Sequence, residues 1–349
     1  MFRPLLALTG ALVIPLAGLS APAHAQTRHD FDLQAHRGGM GLVVESTVPA
    51  FENALRLGVS TLELDIQITR DGEAVVTHDR RIGDHNCQDT GPAFPDDRQY
   101  PYVGSYIKDL TLDQVRTLDC GSRQRPGHPD QQVVPGEPMA LLSEVFDLIH
   151  RYRAYGVDLN IETKVEAGAP EETAPREEFV DVVVREIRDA RMLRQVTIQS
   201  FDWGALTLVR EREPFLPIVA LTNYDFLEMG RPGASPWLGG IDIDDFDGDP
   251  LLAVRSFDAD AFSPVHGFPQ AGTVDDPGYE PYVTADMVDR AHELGIDVIP
   301  WTVNDPATMQ SLVDAGVDGL ITDYPDRLRD VMADNGLRLP RPLREPGHH

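Results

Sequence analysis

Two histidines and three carboxylates stand out by type and spacing. His36 and His78 each close an apolar, strand-like run, and histidine is the side chain that can give or take a proton near neutral pH. Between them, Glu63 and Asp65 lie in the run LELDIQI, and Glu162 lies in DLNIETK, which ends at Lys164. Three carboxylates offer hard oxygen ligands, suited to Ca²⁺ or Mg²⁺ and not to a thiol-preferring metal. Arg37 adds a planar fork and Lys164 a compact point charge, both matched to a phosphate-like oxyanion. Such a set can neutralise an anionic ester, activate a nucleophile and protonate a leaving alkoxide.

Strands must position these groups. Side chains alternate along a strand, so Leu62, Leu64, Ile66 and Ile68 point one way and Glu63, Asp65 and Gln67 the other. The same period puts Asn160, Glu162 and Lys164 on one face. Asp71-Gly72 is a hairpin signal. Treated as a two-residue turn, it places His78 opposite Asp65. Alternation by itself also fits a sheet with its polar face in water.

Further strand-like runs alternate with helix-like ones, the mark of a parallel sheet. The eight candidates are Leu33–Arg37, Thr61–Ile66, Val157–Glu162, Val196–Ser200, Pro217–Leu221, Ala261–Val265, Asp297–Thr302 and Gly319–Thr322, with Ala74–Asp79 as a returning hairpin arm. Eight strands predict a (β/α)8 TIM barrel of the α/β class, with its chemistry at strand C-terminal ends. An open doubly wound sheet is the alternative, but no glycine-rich G-x-G-x-x-G loop follows any strand.

Residues 82–137 fit no βα unit and read as a capping insertion after the second barrel strand. They hold the chain's two cysteines, Cys87 and Cys120. Residues 1–25 carry one charge, Arg3, then an apolar run and Ala23-His24-Ala25, which reads as a cleaved export signal and a periplasmic or secreted protein. In that setting the cysteine pair is expected to be a disulfide. One barrel domain is then expected over 26–335, followed by a disordered tail over 336–349. Removing Arg3 takes the formal charge from −27 to −28, which excludes nucleic-acid binding and argues against docking on an anionic membrane. No stretch after the signal is apolar enough for stable membrane insertion. The acidic run from Asp242 to Asp249 looks like a calcium loop, but its register puts Ile243 at the first ligand position, so a solvated turn is expected.

In order along the chain come His36-Arg37-Gly38, Glu45 ahead of a short helix, Glu63-Leu64-Asp65, Asp71-Gly72 with His78-Asp79, and Asn160-Ile161-Glu162-Thr163-Lys164. The set resembles the glycerophosphodiester phosphodiesterases. The resemblance continues through Gln199-Ser200-Phe201, Trp301-Thr302-Val303-Asn304 and Gly319–Asp323, and covers positions 32 to 330. One departure is Ser46, where the family usually has Asn; contacts of that Asn do not carry over. The resemblance implies hydrolysis of small glycerophosphodiesters, such as glycerophosphocholine or glycerophosphoethanolamine, to sn-glycerol 3-phosphate and an alcohol. It implies His36 as general base and His78 as general acid, Glu45 with Arg37 and Lys164 at the phosphate or substrate, and Phe201 and Trp301 as substrate contacts. The expected cation on Glu63, Asp65 and Glu162 is Ca²⁺ ahead of Mg²⁺, for an exported site. The first nucleophile is then the substrate's own glycerol 2-hydroxyl, giving a cyclic phosphate; direct attack by water stays open. A phospholipase-D-like enzyme acting on lysolipids or sphingomyelin is the second reading. A catalytically dead binding protein is the third, and it loses because no proposed group is missing.

Overall fold

A computed structural model describes residues 30–347. The expected export segment and His348-His349 lie outside the described residues. The strands in chain order are β1 (Asp32–Ala35), β2 (Thr61–Ile68), β3 (Ala74–Val76), β4 (Asp158–Thr163), β5 (Val196–Ser200), β6 (Ile218–Thr222), β7 (Ala261–Pro264), β8 (Gly267–Phe268), β9 (Glu280–Pro281), β10 (Asp297–Val298) and β11 (Gly319–Thr322). Eight of them form one parallel sheet in the order β10-β7-β6-β5-β4-β2-β1-β11. Backbone N–H groups of Asp318 and Ile321 donate to the carbonyls of Val298 and Pro300, both at 3.0 Å, and so draw the two edges together into a nearly closed barrel. β10 is shorter than its apolar run because Pro300 has no N–H to give a ladder.

Among the described residues, eight helices pack outside: α1 (Val48–Leu57), then, after a short α2 (Leu112–Val115) in the insertion, α3 (Leu142–Tyr152), α4 (Arg176–Asp189), α5 (Trp203–Arg212), α6 (Pro250–Ser256), α7 (Ala285–Glu293), α8 (Pro306–Asp314) and α9 (Pro325–Asp334). α1 shows how the sequence sets their ends. Thr47 caps it by accepting from the Ala50 N–H at 3.2 Å, and Pro49 sits in the first turn, where its missing N–H is harmless. Phe51, Ala54 and Leu55 then face the main core with no exposed surface. Burying a side chain such as Phe51 contributes about 1.5–3 kcal/mol.

Both faces of β2 are buried, so it is not half-exposed to water. Leu62, Leu64, Ile66 and Ile68 join the core beneath the helices, while the opposite row fills the barrel interior. There Asn160 Nδ2 donates to Gln34 (2.9 Å) and to Gln199 (2.8 Å), and Gln199 Nε2 donates to Glu63 (2.7 Å). The other side of the interior is apolar, formed by Val219, Ala261, Ile299 and Ile321 with Trp301 against them. The lumen is thus split: polar on β1, β2, β4 and β5, apolar on β6, β7, β11 and the segment after β10.

The hairpin register differs from expectation by one residue. Ile66 pairs with Val76 and Ile68 with Ala74, so the turn has three residues between Thr69 and Glu73, closed by Gly72 at φ +80°. This is the three-residue loop with a left-handed last position, not the two-residue turn that Asp-Gly also serves. Thr77, not His78, therefore meets Asp65, its N–H donating to the Asp65 carbonyl at 3.0 Å. His78 lies beyond the end of the ladder.

The insertion has its own small core, in which Ile82, Tyr102, Ile107, Leu110 and Val115 pack on Val75. Cys87 and Cys120 are joined as the expected disulfide. Residues 336–347, expected to trail free, instead return to the barrel: the Leu343 N–H donates to the Leu55 carbonyl at 2.9 Å and Leu343 packs against the core. Asp242 and Asp249 cap local turns, accepting from the N–H groups of Asp244 and Leu251.

Candidate active site

A cavity of about 750 Å³ opens at the C-terminal ends of the strands, lined among others by His36, Arg37, Glu63, His78, Glu162 and Lys164. The sequence builds its floor by ending β1 abruptly. The strand stops at Ala35, two residues sooner than its pattern suggests, and His36–Gly38 form a tight turn with Arg37 at φ 51°. Gly38 follows at φ +84°, where a Cβ would stand 2.9 Å from that of Ala50, so the turn lies directly on α1. It aims the Arg37 N–H at Glu63 Oε2, 2.9 Å away.

Glu63, Asp65 and Glu162 each place an oxygen within 4.8 Å of the others. Between them reach two cations. Lys164 Nζ is 2.8 Å from Glu162 and 3.8 Å from Asp65, and Arg37 Nε is 3.1 Å from Asp65 Oδ2. That last contact lacks hydrogen-bond geometry, and both atoms are buried with no hydrogen-bond partner. An orphaned, buried carboxylate oxygen inside an all-carboxylate donor set is what a hard divalent cation would complete, so the residues fit such an ion.

Crowding three acids in a buried space sets their protonation. Burial and then the charge of Asp65 hold Glu63 well above the usual carboxylate range. Burial raises Glu162 to about 8, Asp65 adding to the rise and Lys164 opposing it. Burial would raise Asp65 too, but Arg37, His78 and Lys164 outweigh it and keep Asp65 well below its usual range. Without an ion, Asp65 is firmly charged, Glu162 is largely protonated at neutral pH, and burial favours the neutral form of Glu63.

Each histidine is fixed by a carboxylate. His36 Nδ1 is 2.5 Å from Asp323 Oδ1, whose other oxygen accepts from Asn304 Nδ2 at 2.7 Å. His78 Nδ1 is 2.8 Å from Asp79 Oδ1. Asp79 and Asp323 are both held below the usual carboxylate range; burial opposes this, but the histidine partners prevail. A carboxylate only accepts, so each Nδ1 carries the proton, and each Nε2 is left for the cavity. Burial first, then Arg37 and Lys164, push His78 down to about 3 in the resting enzyme.

Aromatic rings form a continuous flank. Phe201 meets Trp301 edge-on at 5.4 Å and Phe226 at 5.5 Å, and Phe226 stacks on Trp237 at 4.2 Å. Lys164 Nζ lies 5.6 Å from the Phe201 ring centre. The structure therefore gathers His36, His78, Arg37, Lys164, Glu63, Asp65, Glu162, Phe201 and Trp301 in one place. Glu45 is the exception: it lies behind Arg37, buried, with its oxygens 3.4 Å from Arg37 Nη1 and 2.7 Å from Arg125 Nη1. It braces Arg37 instead of facing the cavity. Sequence reasoning gave no role to Asp79, Asp323, Asn304 or Gln199. Asp323, Asn304 and Gln199 show their work only through contacts between strand ends distant in sequence, while Asp79 acts on the histidine next to it.

Comparison with known proteins agrees with this geometry. The profile of the "Glycerophosphoryl diester phosphodiesterase family" matches residues 36–327. A glycerophosphodiester phosphodiesterase of Caldanaerobacter subterraneus subsp. tengcongensis is 27% identical over 304 residues, 86% of this chain and 98% of its own. A Silicibacter pomeroyi crystal structure, provisionally named a glycerophosphoryl diester phosphodiesterase, superposes with TM-score 0.71 at 29% identity, over 88% of this chain and 95% of its own. An Oleispira antarctica phosphodiesterase in complex with sn-glycerol-3-phosphate shares the fold, with TM-score 0.62 at 18% identity, over 87% of this chain and 97% of its own. Because the family profile spans most of the chain and the barrel superposes on solved members, the chain belongs to the glycerophosphoryl diester phosphodiesterase family.

Proposed function

We propose that this enzyme hydrolyses small glycerophosphodiesters, glycerophosphocholine and glycerophosphoethanolamine among them, to sn-glycerol 3-phosphate and an alcohol, using His36 and His78 as an acid–base pair. The observation that carries this is the placement of two carboxylate-fixed histidines around one cluster of acids and cations in a single cavity. Arg37 and Lys164 bind the phosphate oxygens, the first as a fork held from behind by Glu45, the second as a point charge. Glu63, Asp65 and Glu162 would hold a divalent cation, for which we favour Ca²⁺. Such an ion would offset phosphate charge and make a coordinated hydroxyl more acidic.

In the first half-reaction His36 Nε2 takes the proton of the glycerol 2-hydroxyl as its oxygen bonds to phosphorus. The bond to the leaving alcohol breaks, and His78 Nε2 gives that oxygen a proton. In the second, the roles reverse: neutral His78 deprotonates water, which opens the cyclic phosphate, and protonated His36 returns its proton to the glycerol oxygen. The cycle requires His78 to be charged at the outset. Burial is the first cause holding His78 neutral at rest, and the negative phosphodiester favours the charged form by offsetting the next two, Arg37 and Lys164.

The test is release of glycerol 3-phosphate from glycerophosphocholine, with and without chelator, followed by restoration with Ca²⁺ or Mg²⁺. Lysophosphatidylcholine as a parallel substrate separates this reading from a lysolipid-directed enzyme. Full activity in chelator, or cleavage of the lysolipid alone, would overturn it. We further propose export with cleavage after Ala25, to the periplasm or medium; a mature protein retaining residues 1–25 would contradict this.

A further inference from the structure

One side chain links the disulfide-bonded insertion to both arms of the site. Asn86 Nδ2 donates to Asp79 Oδ2 at 3.0 Å, and Asp79 holds His78 through its other oxygen. Asn86 Oδ1 accepts from Arg125 Nη1 at 2.9 Å, and that nitrogen also donates to Glu45 at 2.7 Å, behind Arg37. An amide donates to a carboxylate through its nitrogen and accepts from a guanidinium through its oxygen, so one side chain serves both neighbours. A carboxylate in its place would repel Asp79, and an ammonium would repel Arg125.

Asn86 is also firmly anchored. Its own N–H and that of Cys87 both turn back onto the Gly83 carbonyl, at 3.2 and 3.0 Å. Cys87 is bonded to Cys120, and the adjoining Gln88 and Asp119 exchange backbone hydrogen bonds at 2.8 and 3.0 Å. Position is thus transmitted from a covalent cross-link, through one amide, to a histidine on one side and an arginine on the other. Asp79 keeps a second tie to His85 at 2.9 Å, so losing Asn86 would loosen the pair without abolishing it.

We infer that Asn86 is a positioning residue for the hydrolysis, acting on proton delivery through Asp79–His78 and on phosphate binding through Arg125–Glu45–Arg37. This rests on His78 being the general acid, as proposed above. The two arms can be told apart because an aryl leaving group, such as p-nitrophenolate, departs without a proton. Four variants, His78→Ala, Asn86→Asp, Asn86→Ala and Arg125→Met, are assayed for kcat and KM on glycerophosphocholine and on glycerophospho-p-nitrophenol, with circular dichroism confirming the fold.

Asn86→Asp keeps an oxygen for Arg125 but loses the donor to Asp79. It is expected to lower kcat on the choline ester about tenfold, within the range of a general acid's contribution, while KM and the aryl reaction stay within about threefold. Arg125→Met should raise KM on both substrates several-fold and leave the ratio of their kcat values unchanged; Asn86→Ala should show both effects. If both Asn86 variants keep the wild-type ratio of choline to aryl kcat, whether activity is retained or lost on both, Asn86 merely ties the loop and the inference is wrong. His78→Ala serves as the reference. Because His78 also deprotonates water in the second half-reaction, its restoration is read in the single-turnover release of p-nitrophenolate: if that release stays slow in His78→Ala, the acid assignment falls first; if it is restored while the Asn86 variants show no selectivity, only the role of Asn86 falls.

Discussion

Replacing Glu162 by Gln should stabilise the enzyme when no divalent ion is present, by an amount that depends on pH. Glu162 is buried beside Asp65 and rises from its ordinary 4.5 to about 8. A group whose value rises on folding contributes stability below its unfolded value and loses it as pH climbs towards the folded one. At 1.36 kcal/mol per unit, wild type should lose roughly 2–3 kcal/mol relative to the variant between pH 5 and pH 7. Gln keeps an oxygen for Lys164, now at 2.8 Å, so the variant forfeits little packing, and between pH 5 and pH 7 the carboxyl it replaces is itself neutral in the folded enzyme. Urea denaturation in chelator at several pH values measures the difference. Added Ca²⁺ should then reverse the order, because a ligand at a hundredfold its dissociation constant adds about 2.7 kcal/mol to the protein that binds it, and Glu162→Gln removes one of three ligands. A stability difference that does not change with pH would refute the protonated carboxyl. An equal gain from Ca²⁺ in both proteins would refute Glu162 as a ligand.

Other outcomes follow from the same contacts. His36→Ala and His78→Ala should each lose on the order of 10²–10⁴ in kcat on glycerophosphocholine, and the double variant little more, since groups acting as a unit are not additive; a double loss equal to the product of the two would contradict joint action. Burial and then Arg37 and Lys164 hold His78 down, and phosphate charge offsets the two cations, so binding of a non-hydrolysable phosphodiester analogue, which has no ionisation of its own near pH 6, should take up a proton, read by calorimetry in two buffers of different ionisation heat; no buffer dependence would count against it. Cys87→Ser/Cys120→Ser removes a cross-link between residues 33 apart and should lower stability by about 3–4 kcal/mol in the chain-entropy account, with thermal unfolding of wild type under reductant giving the same shift. Ser46 sits at φ 59° with its buried hydroxyl unpartnered, a backbone region that Asn tolerates better, so Ser46→Asn should raise stability by a few tenths to about 1 kcal/mol in denaturation curves.

The parts of this site that could be read in sequence are those written along a strand. On β2 and β4 every second residue is polar because the lumen there is polar, and period two alone put Glu63, Asp65 and Glu162 on the correct face. On β6 and β7 the lumen is apolar, so Val219 and Ala261 differ little from the outward residues beside them, and the sequence shows strands without showing which face looks inward. The hairpin register differs from the expectation because Asp-Gly serves two turn lengths, and what tells them apart is Asp71, which a two-residue type I′ turn would hold at positive φ and which here is not. The misreading still assigned His78 to the site, since the chain leaves the ladder after Val76 and brings the histidine round by a path no pairing rule describes. Asp323 was harder. It meets His36 across 287 residues of chain, and nothing local separates it from any aspartate that ends a strand. What makes it legible is closure: β1 and β11 are neighbours only because the barrel comes round on itself, so the last strand delivers the carboxylate that fixes the tautomer of a histidine on the first. The β10–β11 seam then adds Asn304, which donates to the other oxygen of Asp323, so the proton-transfer geometry is completed by the closed barrel.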